Sequence, residues 1–144
     1  MIKEYIEKFR TNKHLLREYF ASTDQNKYGD YLAILEKIIE TCINEKYTDN
    51  EFNTNRITEI DDGGYSGTLL YLIPRDMYEP AELDYLTTWV DYGSCSGCDT
   101  LQAIRSISSN YKSPWLPTEK QVDAYMTLAL HMVEHMEWFR GGDK

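Results

Sequence analysis

The spacing of apolar residues changes near residue 54, and that change limits the fold more than any other feature of the chain. Upstream of it the period is helical. Ile2, Tyr5, Ile6, Phe9, Leu16, Tyr19 and Phe20 recur mostly three, four or seven apart, which marks one face of a helix over residues 2 to 20. The polar stretch from Ser22 to Gly29 interrupts it. A second helix is expected from about Asp30, with Leu32, Leu35, Ile38, Ile39, Cys42 and Ile43 as its stripe. Cys42 lies inside that stripe, so it reads as a small core residue.

Beyond residue 54 the period becomes two. NRITEI and GTLLYLI read as strands, and the intervening DDGGYSG supplies the Asp and Gly residues of a hairpin turn. Asp61 and Asp62 do not make a calcium loop, because the other oxygen ligands are missing at the required spacing. PRDMYEPAEL, with two prolines, is a loop. DYLTTWVDY is a third strand, alternating Tyr85, Thr87 and Trp89 with Leu86, Thr88 and Val90. Helical spacing then returns. Asp99 is placed to cap a short helix, TLQAIRSIS. SNYKSPWLP is a connector, and Thr118 with Gln121 forms a T-x-x-Q capping box for a long helix reaching about Phe139, where Gly141 and Gly142 stop it. The expected class is therefore α+β: two N-terminal helices, a small mostly antiparallel sheet and two C-terminal helices. With 144 residues and no dividing linker, residues 1–144 are read as one domain.

Composition narrows the function classes. The net charge of −9 repels a phosphate backbone, so general nucleic-acid binding is disfavoured, whereas a basic protein surface would be attracted. Twelve tyrosines and three tryptophans suit either a core or a binding surface. MIKEYIEKFR lacks the apolar centre of a secretory signal, and no apolar run is long enough to span a membrane. Three cysteines do not make a disulfide framework, so a cytoplasmic location is expected.

Two of those cysteines, Cys95 and Cys98, stand three apart in the glycine- and serine-rich DYGSCSGCDTLQ, between the third strand and the short helix. The last helix carries HMVEH, which puts His131 and His135 on one face, near the border between its apolar arc (Tyr125, Ala129, Met132, Met136, Phe139) and its polar arc (Asp123, Thr127, Glu134). Cys95, Cys98, His131 and His135 form a chemically complete tetrahedral zinc set, provided the fold closes the long gap between the pairs. The thiols alone suggest a redox enzyme, since strand, C-x-x-C and helix follow one another as in thioredoxin-like proteins. Against that, the flanking strands look antiparallel. As an anion cradle for a small nucleotide, the same loop would use Tyr92, Ser94, Ser96 and Asp99, although the phosphate-loop lysine is absent and Asp99 would repel a phosphate. Neither serine has the G-x-S-x-G context, and HMVEH is not H-E-x-x-H.

YSGTLLYLI, then WVDYGSCSGCDTLQ, then a late aromatic helix ending in EWF, resembles a family of small bacteriophage-encoded proteins. The likeness covers roughly residues 60 to 110 and is sharpest in YGSCSGCD, so Tyr92, Gly93, Cys95, Gly97, Cys98 and Asp99 carry it. The resemblance implies a small acidic accessory protein, not an enzyme, that binds a host or defence component.

Overall fold

The computed structural model describes residues 2–64, 66–95, 97–107 and 113–139. The element order is helix α1 (Lys3–Ser22), helix α2 (Tyr31–Ile38), strands β1 (Thr58–Asp61), β2 (Gly67–Pro74) and β3 (Tyr85–Tyr92), helix α3 (Thr100–Arg105), helix α4 (Glu119–Glu134) and strand β4 (Glu137–Trp138). The class is α+β, as the change of period predicts.

Local chemistry sets most of the boundaries. The Asp30 carboxylate accepts from Ala33 N–H to open α2, and Asp99 accepts from Gln102 N–H to open α3. Thr118 and Gln121 bond reciprocally at the start of α4, completing the capping box. α2 ends in a wider turn, Ile39–Ile43, which keeps Ile39, Cys42 and Ile43 buried together. Burial pushes the Cys42 thiol pKa up, in keeping with a core role.

The sheet order is β1-β2-β3-β4, and every neighbouring pair is antiparallel. Alternation sorts its two faces. Tyr71 and Ile73 on β2, with Leu86, Thr88 and Val90 on β3, are buried toward the helices. α1 contributes Tyr5, Phe9, Leu16 and Phe20 to the same core, and α4 contributes Val122, Tyr125, Leu128, Ala129 and Met132. Each fully buried side chain of this size stabilises the fold by roughly 1.5–3 kcal/mol. Phe20, Tyr28 and Tyr125 pack as a cluster of tilted and edge-on rings, at centroid distances of 4.9 to 5.3 Å. The buried tyrosine hydroxyls are paired: Tyr28 donates to Phe20 C=O at 2.8 Å, and Tyr125 donates to Gln25 Oε1 at 2.7 Å.

The end of α4 departs from the expectation. The helix stops at Glu134, not near Phe139, and Glu137–Trp138 pairs with β3 instead. Tertiary contacts outweigh helical periodicity here. Trp138 packs beside Tyr5 and Phe52, and the Arg75 guanidinium lies 4.4 Å from its ring. Gly141 and Gly142, the expected stop, lie outside the described residues.

Candidate functional site: an exposed dithiol turn beside an acidic cleft

β3 runs into the turn that carries the cysteines. The Asp99 N–H donates to Cys95 C=O at 2.9 Å and the Cys98 N–H to the same oxygen at 3.1 Å, so the chain curls back within three residues. That curl places Cys95 Sγ and Cys98 Sγ 2.6 Å apart, both exposed. Gly93 makes the curl feasible. A Cβ built there would stand 2.4 Å from Cys98 C=O and 2.7 Å from Cys98 Sγ, so only a residue without one fits.

Asp99 fixes the turn to the body of the protein. It is buried, and its Oδ1 accepts from Tyr31 O–H at 2.8 Å and from Gly93 N–H at 3.1 Å, while Oδ2 accepts from Gln102 N–H at 3.0 Å. The Tyr31 hydroxyl in turn accepts from Leu101 N–H at 3.2 Å. Burial is the main cause that raises the Tyr31 pKa, which leaves its hydroxyl protonated as a donor to Asp99. The sequence motif thus gains a partner, Tyr31, that lies far away in the chain.

Donors surround the Cys98 sulfur. Interaction with Cys95 is the largest cause holding its thiol below the usual range, with further donors in the Cys95 and Ser94 backbone and the Ser94 hydroxyl. The Cys95 N–H reaches it at 3.0 Å. Hydrogen bonds to the charged form favour thiolate. The Ser94 hydroxyl, expected from the sequence as an anion contact, is thus one of the groups that favour the Cys98 thiolate. Ser96 lies outside the described residues.

The histidines sit elsewhere. His135 caps the C-terminus of α4, and its ring lies flat on Trp89 at 3.9 Å with an interplanar angle of 8°. Its Nδ1 is 3.2 Å from Trp89 C=O, an acceptor, which selects the Nδ1–H tautomer. His131, one turn earlier, is exposed. Among the described residues no three His, Cys, Asp or Glu side chains gather as a metal set, so the four-ligand combination of Cys95, Cys98, His131 and His135 is not assembled. The reason lies in the strand alternation. Trp89 points to the sheet face away from the helices and draws His135 toward β3's edge. The turn instead folds onto α2 and α3 through Tyr31 and Gln102. Two thiols alone leave half of a closed structural zinc shell unfilled.

Beside the turn lies a cleft of about 870 Å³, within the range of small-ligand sites. Its walls come from the start of α2, the helix-side face of β1 and β2, Tyr92 and α3. Among the described residues four acidic ones line it, Asp30, Glu59, Asp61 and Asp99, against one guanidinium, that of Arg105. Tyr92, a wall residue, donates its hydroxyl to Asp61 Oδ1, another. That bond is the largest cause of the Tyr92 pKa being pushed up to about 12, and it lowers that of Asp61. Tyr71 donates to Glu59 at 2.8 Å, and Arg105 donates to Asn26 Oδ1 at 2.9 Å. The charge balance disfavours a phosphate, which weighs against a small nucleotide here. Sequence reading misses Asp61, Glu59 and Arg105 as site residues, because only the hairpin register and the docking of α3 bring them together. The expected DDGG turn gave the one available hint, for Asp61.

No protein-family model, no curated protein and no solved structure matches the chain. No helix among the described residues is long and apolar enough to cross a membrane.

Proposed function

We propose that the chain is a thiol-active protein that exchanges the Cys95–Cys98 dithiol with a disulfide. One observation carries the reading: two exposed sulfurs in contact on a turn whose own N–H groups point at Cys98. The step balances without another reagent. The Cys98 thiolate attacks one sulfur of the incoming disulfide, and the other sulfur departs as a thiolate. Cys95 then gives up its proton and attacks Cys98, releasing the second thiolate. The substrate gains two electrons and leaves as two thiolates, the Cys95 proton and the one that Cys98 lost to solvent on ionising being available to protonate them, and the chain ends with a Cys95–Cys98 disulfide. The test is reaction of the reduced protein with a small aromatic disulfide. Release of both aromatic thiols and loss of two hydrogens from the chain supports exchange. A stable mixed disulfide, with no ring closure, removes it.

A second reading, the phage-type accessory protein bound to a host or defence component, is favoured by a different region. Tyr47 is 97% exposed on left-handed backbone (φ 63°), held by its N–H to Glu51, and Tyr78 and Leu83 stand exposed on the loop laced to it through Asp76 N–H and Glu51 C=O. Backbone of that kind costs free energy, yet this tyrosine makes little contact in return. Tyr47→Asn tolerates that conformation and should not lower the melting temperature. A partner that still binds after Tyr47→Asn, Tyr78→Ala and Leu83→Ser together would remove this reading.

A further inference from the structure

We propose that the acidic cleft is the docking site for the substrate of the dithiol, and that this substrate is a disulfide flanked by a positively charged group, an amine or a guanidinium. The inference rests on the exchange reading and adds the substrate class. Three placements carry it. First, cleft and turn share their structure: Tyr92 and Asp99, which bracket the turn, are both wall residues, and Gln102, a third, donates to Gly93 C=O. Second, the Cys98 sulfur packs against Gly93, whose chain neighbour Tyr92 and hydrogen-bond partner Gln102 are wall residues, so a disulfide at Cys98 has the cleft within one residue of it along the chain. Third, the four carboxylates are bonded to neutral donors: Asp30 to Ala33 N–H, Glu59 to Tyr71 O–H, Asp61 to Tyr92 O–H and Gly63 N–H, and Asp99 as described. These bonds orient the carboxylates and leave their charge in place. Arg105, the one cation among the described residues that line the cleft, is turned to the Asn26 amide oxygen. A bound ammonium or guanidinium would complete the charge balance, whereas an anionic flank would meet net repulsion. Leu69 and Leu101 supply apolar wall for the alkyl chain that links such a charge to its sulfur.

The overall acidity of the protein would also favour cations, so the experiment must separate cleft from field. Reduced protein is reacted with three small disulfides, cystamine (a diamine), bis(2-hydroxyethyl) disulfide (neutral) and dithiodipropionate (a dianion). Each rate constant is divided by that for dithiothreitol with the same disulfide. The expected order is diamine, neutral, dianion, with the ends separated by about tenfold or more near 0.15 M salt. Glu59→Gln with Asp61→Asn keeps both acceptor oxygens for Tyr71 and Tyr92 while removing two charges, and should shrink the separation several-fold. Asp49→Asn with Glu79→Gln removes the same charge from loops beyond the other end of the β2–β3 hairpin, whose strand end lies about 10 to 17 Å along the strands from the positions opposite Glu59 and Asp61, and should change it much less. Equal effects of the two double variants, or no preference in the parent, overturn the cleft as docking site while exchange itself stands. Absence of exchange with all three disulfides, when iodoacetamide labels both thiols, overturns the exchange reading and this substrate class with it.

Discussion

The thiol pair and the histidine pair look alike on paper and end up unlike in space. Cys95 and Cys98 stand three apart, His131 and His135 four apart, and each spacing brings its own two side chains to one side of a local structure. The turn delivers its pair: both sulfurs are exposed and touch. The helix delivers two rings on one face, but the second is taken by Trp89 through a flat stack and a hydrogen bond. Local spacing decides which neighbours can meet, whereas which pairs are free to act depends on what the rest of the fold lays beside them.

Four changes break or sharpen that contrast. The largest effect is expected from Asp99→Ala. It strips partners from the Tyr31 hydroxyl and two N–H groups at a buried point, and should cost about 2–4 kcal/mol in urea unfolding and slow dithiol exchange. Unchanged stability would mean that the turn does not depend on its anchor. Gly93→Ala comes next, because the new methyl meets the Cys98 carbonyl at 2.4 Å. A loss of about 1–3 kcal/mol is expected, with slower ring closure to the Cys95–Cys98 disulfide. Should ring closure keep its rate, the close approach is not what sets the sulfur geometry.

Trp89→Ala tests the other pair. Loss of the stack should lower stability by about 1 kcal/mol and leave thiol reactivity alone. A change in alkylation rate at Cys95 or Cys98 would tie the two pairs together and revive the shared metal site. Cys98→Ser is the mildest structurally, within about 0.5 kcal/mol of the parent because the side chain is exposed, yet it should abolish exchange. The pH dependence has a definite sign. The reactive form is the thiolate, and donors hold the Cys98 pKa below the ordinary thiol value of about 8.5, so the alkylation rate should rise with pH and level off before an unperturbed thiol would. A midpoint at or above the free-thiol value would contradict the hydrogen-bonded arrangement around Cys98.

Much of the fold is legible in the residues themselves. The three main strands, the helical stripes and the caps of α3 and α4 follow from period and capping chemistry, which act over a few residues. Asp99 is legible as a cap for the same reason, but its bond to Tyr31 is not, since that partner is supplied by α2. The end of α4 is misread because MEWF continues the helical pattern while Trp138 gains more by packing on Tyr5, Phe52 and Arg75. From its helix position His135 reads either as a ligand or as a border residue bonded to a neighbour, and only the register that places Trp89 on the outer sheet face shows which partner it takes.

What the sequence determined by itself was most of the local structures, including a glycine- and serine-rich turn whose three-residue spacing lets two thiols face the same way. Tertiary structure decided which groups surround those thiols. Strand alternation put Trp89 on the outer sheet face, where His135 stacks on it away from the thiols, and helix docking set carboxylates from distant segments around one cleft. Contacts of that reach depend on the packing of whole elements, which no short window of residues specifies.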